Sequence, residues 1–131
     1  MPVVFWVAIG GGLGASARYG VNVLFGKLFG TAFPWHTLFE NVLGCFIMGA
    51  LTELMALKLQ VSQEVRALLT TGVLGGFTTF SAFSLDFALL MEKKATVHAF
   101  AYAAASVLVS LFAVFAGLSL IRAMFPPPVL P

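Results

Sequence analysis

Charge is scarce in this sequence: of 131 residues, seven are Lys or Arg and five are Asp or Glu, 9% in all. A soluble domain carries about a quarter. With 60% hydrophobic residues and a mean hydropathy of +1.03, too little polar surface remains to coat a globule of this size. That excludes a soluble enzyme, a nucleic-acid-binding protein and a disordered chain. The net charge of +2 and the pI near 9.0 rest on so few groups that they make no case for a nucleic-acid partner. Cysteine is almost absent. Cys45, the only one, has no internal disulfide partner and, set in an apolar run, reads as a small buried hydrophobe. There is no His/carboxylate metal set and no Ser-His-acid arrangement, since His36 and His98 sit singly near span starts. Met1-Pro2-Val3-Val4 lacks the basic residues that open a cleavable signal, so the first span is expected to be retained. No internal repeat is visible.

What the chain does have is hydrophobic length. Crossing about 30 Å of hydrocarbon takes about 20 helical residues, and punctuation divides the sequence into spans at about 3–26, 35–57, 67–91 and 97–121. Lys27 and Phe29-Gly30-Thr31-Ala32-Phe33-Pro34 close the first, a polar cluster from Lys58 to Arg66 separates the second from the third, and Lys93-Lys94 ends the third. The expected fold is therefore an all-α integral membrane protein, one domain of four transmembrane helices over residues 1–125. A Pro-rich tail over 126–131 cannot be helical. Trp6 and Trp35 lie near span ends, where amphipathic rings prefer the interface.

Four spans would put Lys58, Arg66 and Arg122 on one side and Lys27, Lys93 and Lys94 on the other, with Arg18 near the latter. Orientation normally follows an excess of basic residues on one side. There is none here, and a chain without bias is expected to insert both ways round, which allows an antiparallel homodimer. A bundle of four helices fills its own core, so any pathway is expected at a subunit interface.

Polar residues inside the spans are the candidates for function. In the first, Gly10, Gly14, Arg18, Asn22 and Gly26 recur every four residues, and Gly10 and Gly14 form a small-xxx-small packing pair. Arg18 stands ~13 Å along the helix from Lys27. It either snorkels outward or faces the bundle, attracting anions at a vestibule or bonding backbone carbonyls. In the second span Thr37 and Asn41 share a face, with Glu40 beside them; Asn41 serves either helix packing or a ligand, and Glu40 and Glu53 are expected to face headgroups.

The third span is anomalous. Its centre, Gly75-Gly76-Phe77-Thr78-Thr79, joins glycines to β-branched residues, poor helix formers both, and predicts a helix broken at mid-membrane. A break frees carbonyls that suit a hard cation and N–H groups that suit an anion; the alternative is a continuous helix with a tight glycine face. Phe80 and Phe83 follow on one face, either as a collar of positive ring edges or as lipid-facing packing. In the fourth span Tyr102, Ser106 and Ser110 fall at i, i+4 and i+8, a hydroxyl stripe expected to form a hydrated track or an interhelical seam.

Three segments then resemble the signatures of the Fluc (CrcB) family of fluoride channels: Gly11-Gly12-Leu13-Gly14-Ala15-Ser16-Ala17-Arg18-Tyr19; Thr37-Leu38 with Asn41-Val42-Leu43-Gly44; and Gly75-Gly76-Phe77-Thr78-Thr79-Phe80-Ser81-Ala82-Phe83-Ser84. The resemblance spans residues 3 to 122. It implies a passive, fluoride-selective exporter of the bacterial inner (cell) membrane, an antiparallel dual-topology homodimer in the bilayer with two fluoride pathways built from both subunits. It further implies a structural Na⁺ at the dimer centre, held by backbone carbonyls of Gly75 and Thr78. By position the pathway residues are Asn41, Phe80, Phe83, Tyr102, Ser106 and Ser110, with Thr37 and Asp86 alongside and Arg18 at a vestibule.

Two residues depart from the family pattern. Asp86 stands where Glu is usual, one methylene shorter, so a hydrogen bond to Thr37 is expected to lengthen or rearrange. Glu40 precedes the Asn where an apolar residue is expected, and a lipid- or vestibule-facing position is anticipated for it. The rival class is a small multidrug-resistance-type proton-coupled exporter. It needs a titratable carboxylate deep in a span, usually the first, and the first span here carries no acid.

Overall fold

The computed structural model describes residues 2–126, and among these every regular element is a helix. Helix α1 (Val3–Phe29) is followed by α2 (Trp35–Leu57) and by a short α3 (Gln63–Ala67). The chain continues without a break as a π-helical stretch, Leu68–Leu74, and one further turn, α4 (Gly75–Phe77). Then come α5 (Ser81–Glu92) and α6 (Thr96–Met124). The Pro-rich tail lies outside the described residues from 127 onward.

Three helical stretches among the described residues are long and apolar enough to cross a membrane: Trp35–Leu57, Gln63–Glu92 and Thr96–Met124. Helix α1 has the length, 27 residues or roughly 40 Å, but Ser16, Arg18 and Asn22 interrupt its apolar run.

Three helix ends differ from the expected ones by about a turn, and each has a local cause. Helix α1 runs on to Phe29 because Lys27 faces the carbonyl end of its own helix. Gly30, at φ +73°, ends it and returns an N–H to the Gly26 carbonyl at 3.1 Å. Ser62 starts α3 early by capping it, its Oγ accepting the Val65 N–H at 3.2 Å. Helix α6 persists to Met124 while Arg122 Nε meets Glu53 Oε1 at 3.1 Å, tying the ends of α6 and α2 together.

The polarity of the surface is inverted relative to a protein folded in water. Thr37, Glu40 and Ser106 are buried, while Leu13, Phe112 and Phe115 are exposed. Such an outside is matched to acyl chains, and the inside is held by close backbone approach and hydrogen bonds. The most extensive pairing is α2 on α6. Gly49 and Gly117 make it close: a Cβ on Gly49 would strike the Val114 carbonyl, and one on Gly117 the Phe46 carbonyl. Gly10 and Gly14 act likewise for α1, lying directly on the backbone of Leu68, Gly72 and Val73 in the π-helical stretch. Helix α5 packs on α6 around Leu90, Ala99 and Tyr102, with Phe33, Leu38, Phe83 and Phe87 against them. The Gly75–Phe77 turn is thus held between α1 on one side and α2 on the other.

Candidate functional site

The last helical hydrogen bond of this segment is made by the Thr78 N–H. Thr78 is extended (φ −85°, ψ 156°), its N–H and Oγ1 both donate to the Leu74 carbonyl, at 3.0 and 2.8 Å, and α5 starts only at Ser81. The groups released here go to side chains. The Thr79 N–H, which a continued helix would give to the Gly75 carbonyl, donates to Asn41 Oδ1 at 2.7 Å. Asn41 Nδ2 in turn donates to the Thr79 carbonyl at 2.9 Å. Arg18 Nε donates to the Gly76 carbonyl at 3.0 Å. The Ala82 N–H, due to the Thr78 carbonyl in a continued helix, donates to Thr79 Oγ1 at 3.2 Å.

The carbonyls of Gly75 and Thr78 therefore each lose their helical donor, while that of Gly76 is claimed by a guanidinium. Among the described residues no His, Cys, Asp or Glu cluster is arranged to hold a metal. A cation at this level would rest on the two freed carbonyls, hard oxygen donors of the kind an alkali cation takes.

Beside the interruption lies a pocket of about 500 Å³ that brings together Asn41, Gly75, Thr78, Phe80, Phe83, Ser106 and Ser110. Phe80 is 76% exposed, the outer lip. Its ring centroid is 5.5 Å from that of Phe83, which is 5.3 Å from that of Tyr102. On the α6 wall the Oγ atoms of Ser106 and Ser110 are buried and, among the described residues, have no hydrogen-bond partner. A larger cavity, about 790 Å³, is lined by Phe25, Phe29, Trp35, Phe39 and other largely apolar side chains of α1, α2 and α6.

Thr37, Asp86 and Tyr102 are joined. Thr37 Oγ1 donates to Asp86 Oδ2 at 2.7 Å and the Tyr102 hydroxyl to the same oxygen at 3.1 Å. The shorter acid reaches Thr37 at full strength, without the expected lengthening, because α2, α5 and α6 converge there around Tyr102, which has no exposed surface. Asp86 also lines a small polar pocket of about 70 Å³ with Thr31, His36 and Lys93, opening toward the loops.

Of the two alternatives that a bundle-facing Arg18 left open, the structure shows the bond to a backbone carbonyl, and Glu40 takes a position that the sequence did not foretell. Arg18, set at a vestibule by the resemblance, is half-buried and bonded to the break. Glu40, anticipated at a lipid or vestibule surface, is 1% exposed. Its partner is Asn22 on α1: with the amide turned to satisfy its neighbours, Asn22 Nδ2 faces Glu40 Oε1, His36 Nδ1 at 3.0 Å and the Arg18 carbonyl at 3.1 Å. The signal was available, because Asn22 is on the Arg18 face of α1 and a buried carboxylate needs a donor. Cys45, read as core filler, lines the pocket with Asn41 and the serines. It falls one helical turn beyond Asn41, which places it on the same face.

The family described as CrcB-like protein, Camphor Resistance (CrcB), matches residues 5–118. The chain is 56% identical over 122 residues to a protein of Rhodospirillum centenum named fluoride-specific ion channel FluC, covering 93% of this chain and 97% of that one. Proteins of the same name from Rhodopseudomonas palustris and Rhizobium meliloti are 52% identical over 118 residues and 51% over 124. These alignments take in 90% and 95% of this chain, and 95% and 99% of theirs.

Proposed function

The chain belongs to the CrcB family, and on that premise we propose that it carries fluoride passively across the bacterial inner membrane as two oppositely inserted copies. It is a multi-pass membrane protein and a fluoride channel, not an enzyme. In this reading α1 is a fourth crossing, the interruption at Thr78–Phe80 lies at mid-membrane, and each of two pathways is completed by the partner copy. The near-equal basic count on the two sides of the chain supports dual insertion.

One observation carries the reading: Ser106 and Ser110 hold buried hydroxyls without partners among the described residues, along an aromatic-walled pocket. Fluoride is small and strongly hydrated, so entering hydrocarbon requires replacement donors at each step. Hydroxyls supply them, and the positive edges of Phe80 and Phe83 supply weaker ones. Among the described residues no cationic side chain lines this pocket, so the ion is held tightly enough to enter and loosely enough to leave. Thr37, Asp86 and Tyr102 continue the polar line toward the Lys93 mouth.

The freed carbonyls of Gly75 and Thr78 are the groups that would hold a structural sodium ion where the two copies meet. Bound there, the ion would supply positive charge at the interruption. Arg18 and Asn41 keep that backbone open by taking the Gly76 and Thr79 groups that a continuous helix would use. A proton-coupled exporter finds less support, since α1 contains no acid.

Replacement of Phe80 and of Phe83 by Ile, in liposomes loaded with fluoride, tests the pathway. Loss of fluoride efflux in either variant is expected; unchanged efflux in both removes the aromatic pair from conduction.

A further inference from the structure

The reading above leaves one chemically distinctive group unused. Cys45 is the sole cysteine of the chain, half-buried, and it shares the 500 Å³ pocket with Asn41, Ser106 and Ser110. Asn41 and Cys45 are one turn apart on α2, and Ser106 and Ser110 one turn apart on α6, so the most extensively paired helices each present a short rail to the same space. A cysteine in an apolar helix is ordinarily filler. Here the opposing rail argues otherwise. Ser106 is 7% exposed, and among the described residues its Oγ has no partner. Burying a hydroxyl without a hydrogen bond is costly, and donors held in that state face a ligand that comes and goes.

We propose that the Cys45 thiol lines the fluoride pathway opposite these serines and is the site at which a soft, thiophilic cation closes it. The inference rests on the channel reading above. As a weak S–H donor, the thiol adds to the serine hydroxyls without trapping the anion. Its second property is one that serine lacks: sulfur is a soft ligand and binds soft metal ions that oxygen donors hold poorly. With mercuric chloride, an S–Hg bond forms as the S–H bond breaks. The proton passes to water, one chloride leaves the metal, and nothing is oxidised or reduced. The bulky adduct then stands between Asn41 and Ser110, in the space the anion needs.

The test uses the full chain in liposomes loaded with fluoride, mercuric chloride as the probe and an electrode as the readout. Wild-type efflux is expected to fall to the protein-free leak and to return on addition of excess dithiothreitol. Cys45→Ser keeps a donor on the wall and is expected to carry fluoride without mercury sensitivity, each variant being compared with its own untreated rate. Should that variant not fold, the wild type still decides: it has one thiol, so a single-mercury mass shift that rises in step with block assigns the site. Wild-type efflux that persists under mercury, with or without the adduct, overturns the inference, and so does equal block of Cys45→Ser. Absence of any protein-dependent fluoride efflux before mercury is added is a different failure, that of the channel reading itself.

Discussion

Asn41 grips the backbone of Thr79 with both ends of its amide, accepting its N–H at 2.7 Å and donating to its carbonyl at 2.9 Å. This is a side chain replacing a helix at the point where the helix gives out. Unpaired backbone groups in hydrocarbon cost several kcal/mol each, so an interrupted segment persists only where such replacements exist. In the proposed channel Asn41 would serve the pathway first by holding the backbone open and only then as one of its walls.

Asn41→Ala removes both bonds and leaves a buried N–H and carbonyl behind. A loss of about 1–3 kcal/mol per group is expected, read as a lower unfolding temperature in detergent, together with loss of fluoride efflux from liposomes. A variant with wild-type stability and flux would show that the backbone at Thr79 finds its partners elsewhere.

Arg18→Lys separates two roles that charge alone does not distinguish. If Arg18 served as a positive charge near a vestibule, Lys would serve nearly as well. Its bond to the Gly76 carbonyl, made through Nε at 3.0 Å, depends instead on the planar guanidinium. Arg18→Lys is therefore expected to lose most fluoride efflux while still inserting in the membrane. Retained efflux would return Arg18 to the electrostatic role.

Much of this arrangement is legible in the sequence, and the parts that are not have a common cause. Gly75-Gly76 beside Thr78-Thr79 announces the interruption through backbone propensity, a local property. Ser106 and Ser110 announce their stripe through spacing, also local. The partners of Glu40, Arg18 and Cys45 are tertiary facts. Glu40 is satisfied by Asn22 on another helix, Arg18 by a carbonyl 58 residues away, and Cys45 acquires its setting from α6. Helix ends move by a turn because Gly30 and Ser62 cap them and Arg122 pairs with Glu53, small effects that hydropathy does not register.

Glu40 and Asn22 give a coupled pair for measurement. An acidic side chain within a span costs about 2.5–3.5 kcal/mol on insertion scales. Glu40→Gln removes that charge yet keeps an oxygen for the Asn22 amide, and is expected to hold or raise the unfolding temperature with efflux retained. Asn22→Leu strips the carboxylate of its donor and is expected to lower stability by about 1–3 kcal/mol. The double variant should recover part of that loss, since contacting residues are not additive. Strictly additive effects would dissolve the pairing.

Sodium removal probes the freed carbonyls. Protein purified with N-methylglucamine in place of sodium is expected to unfold at lower temperature and to dissociate more readily into single copies. Returning sodium should restore both, whereas magnesium, which sheds its water reluctantly, should not. Indifference to the cation would leave the Gly75 and Thr78 carbonyls without the role assigned to them.

The most direct measurement is anion release from liposomes that hold equal fluoride and chloride, followed with two electrodes after the purified chain is reconstituted. Protein-dependent discharge of fluoride with chloride retained is the predicted result. Release of both ions together, or of neither, would contradict a pathway built from partnerless serine hydroxyls and phenylalanine edges.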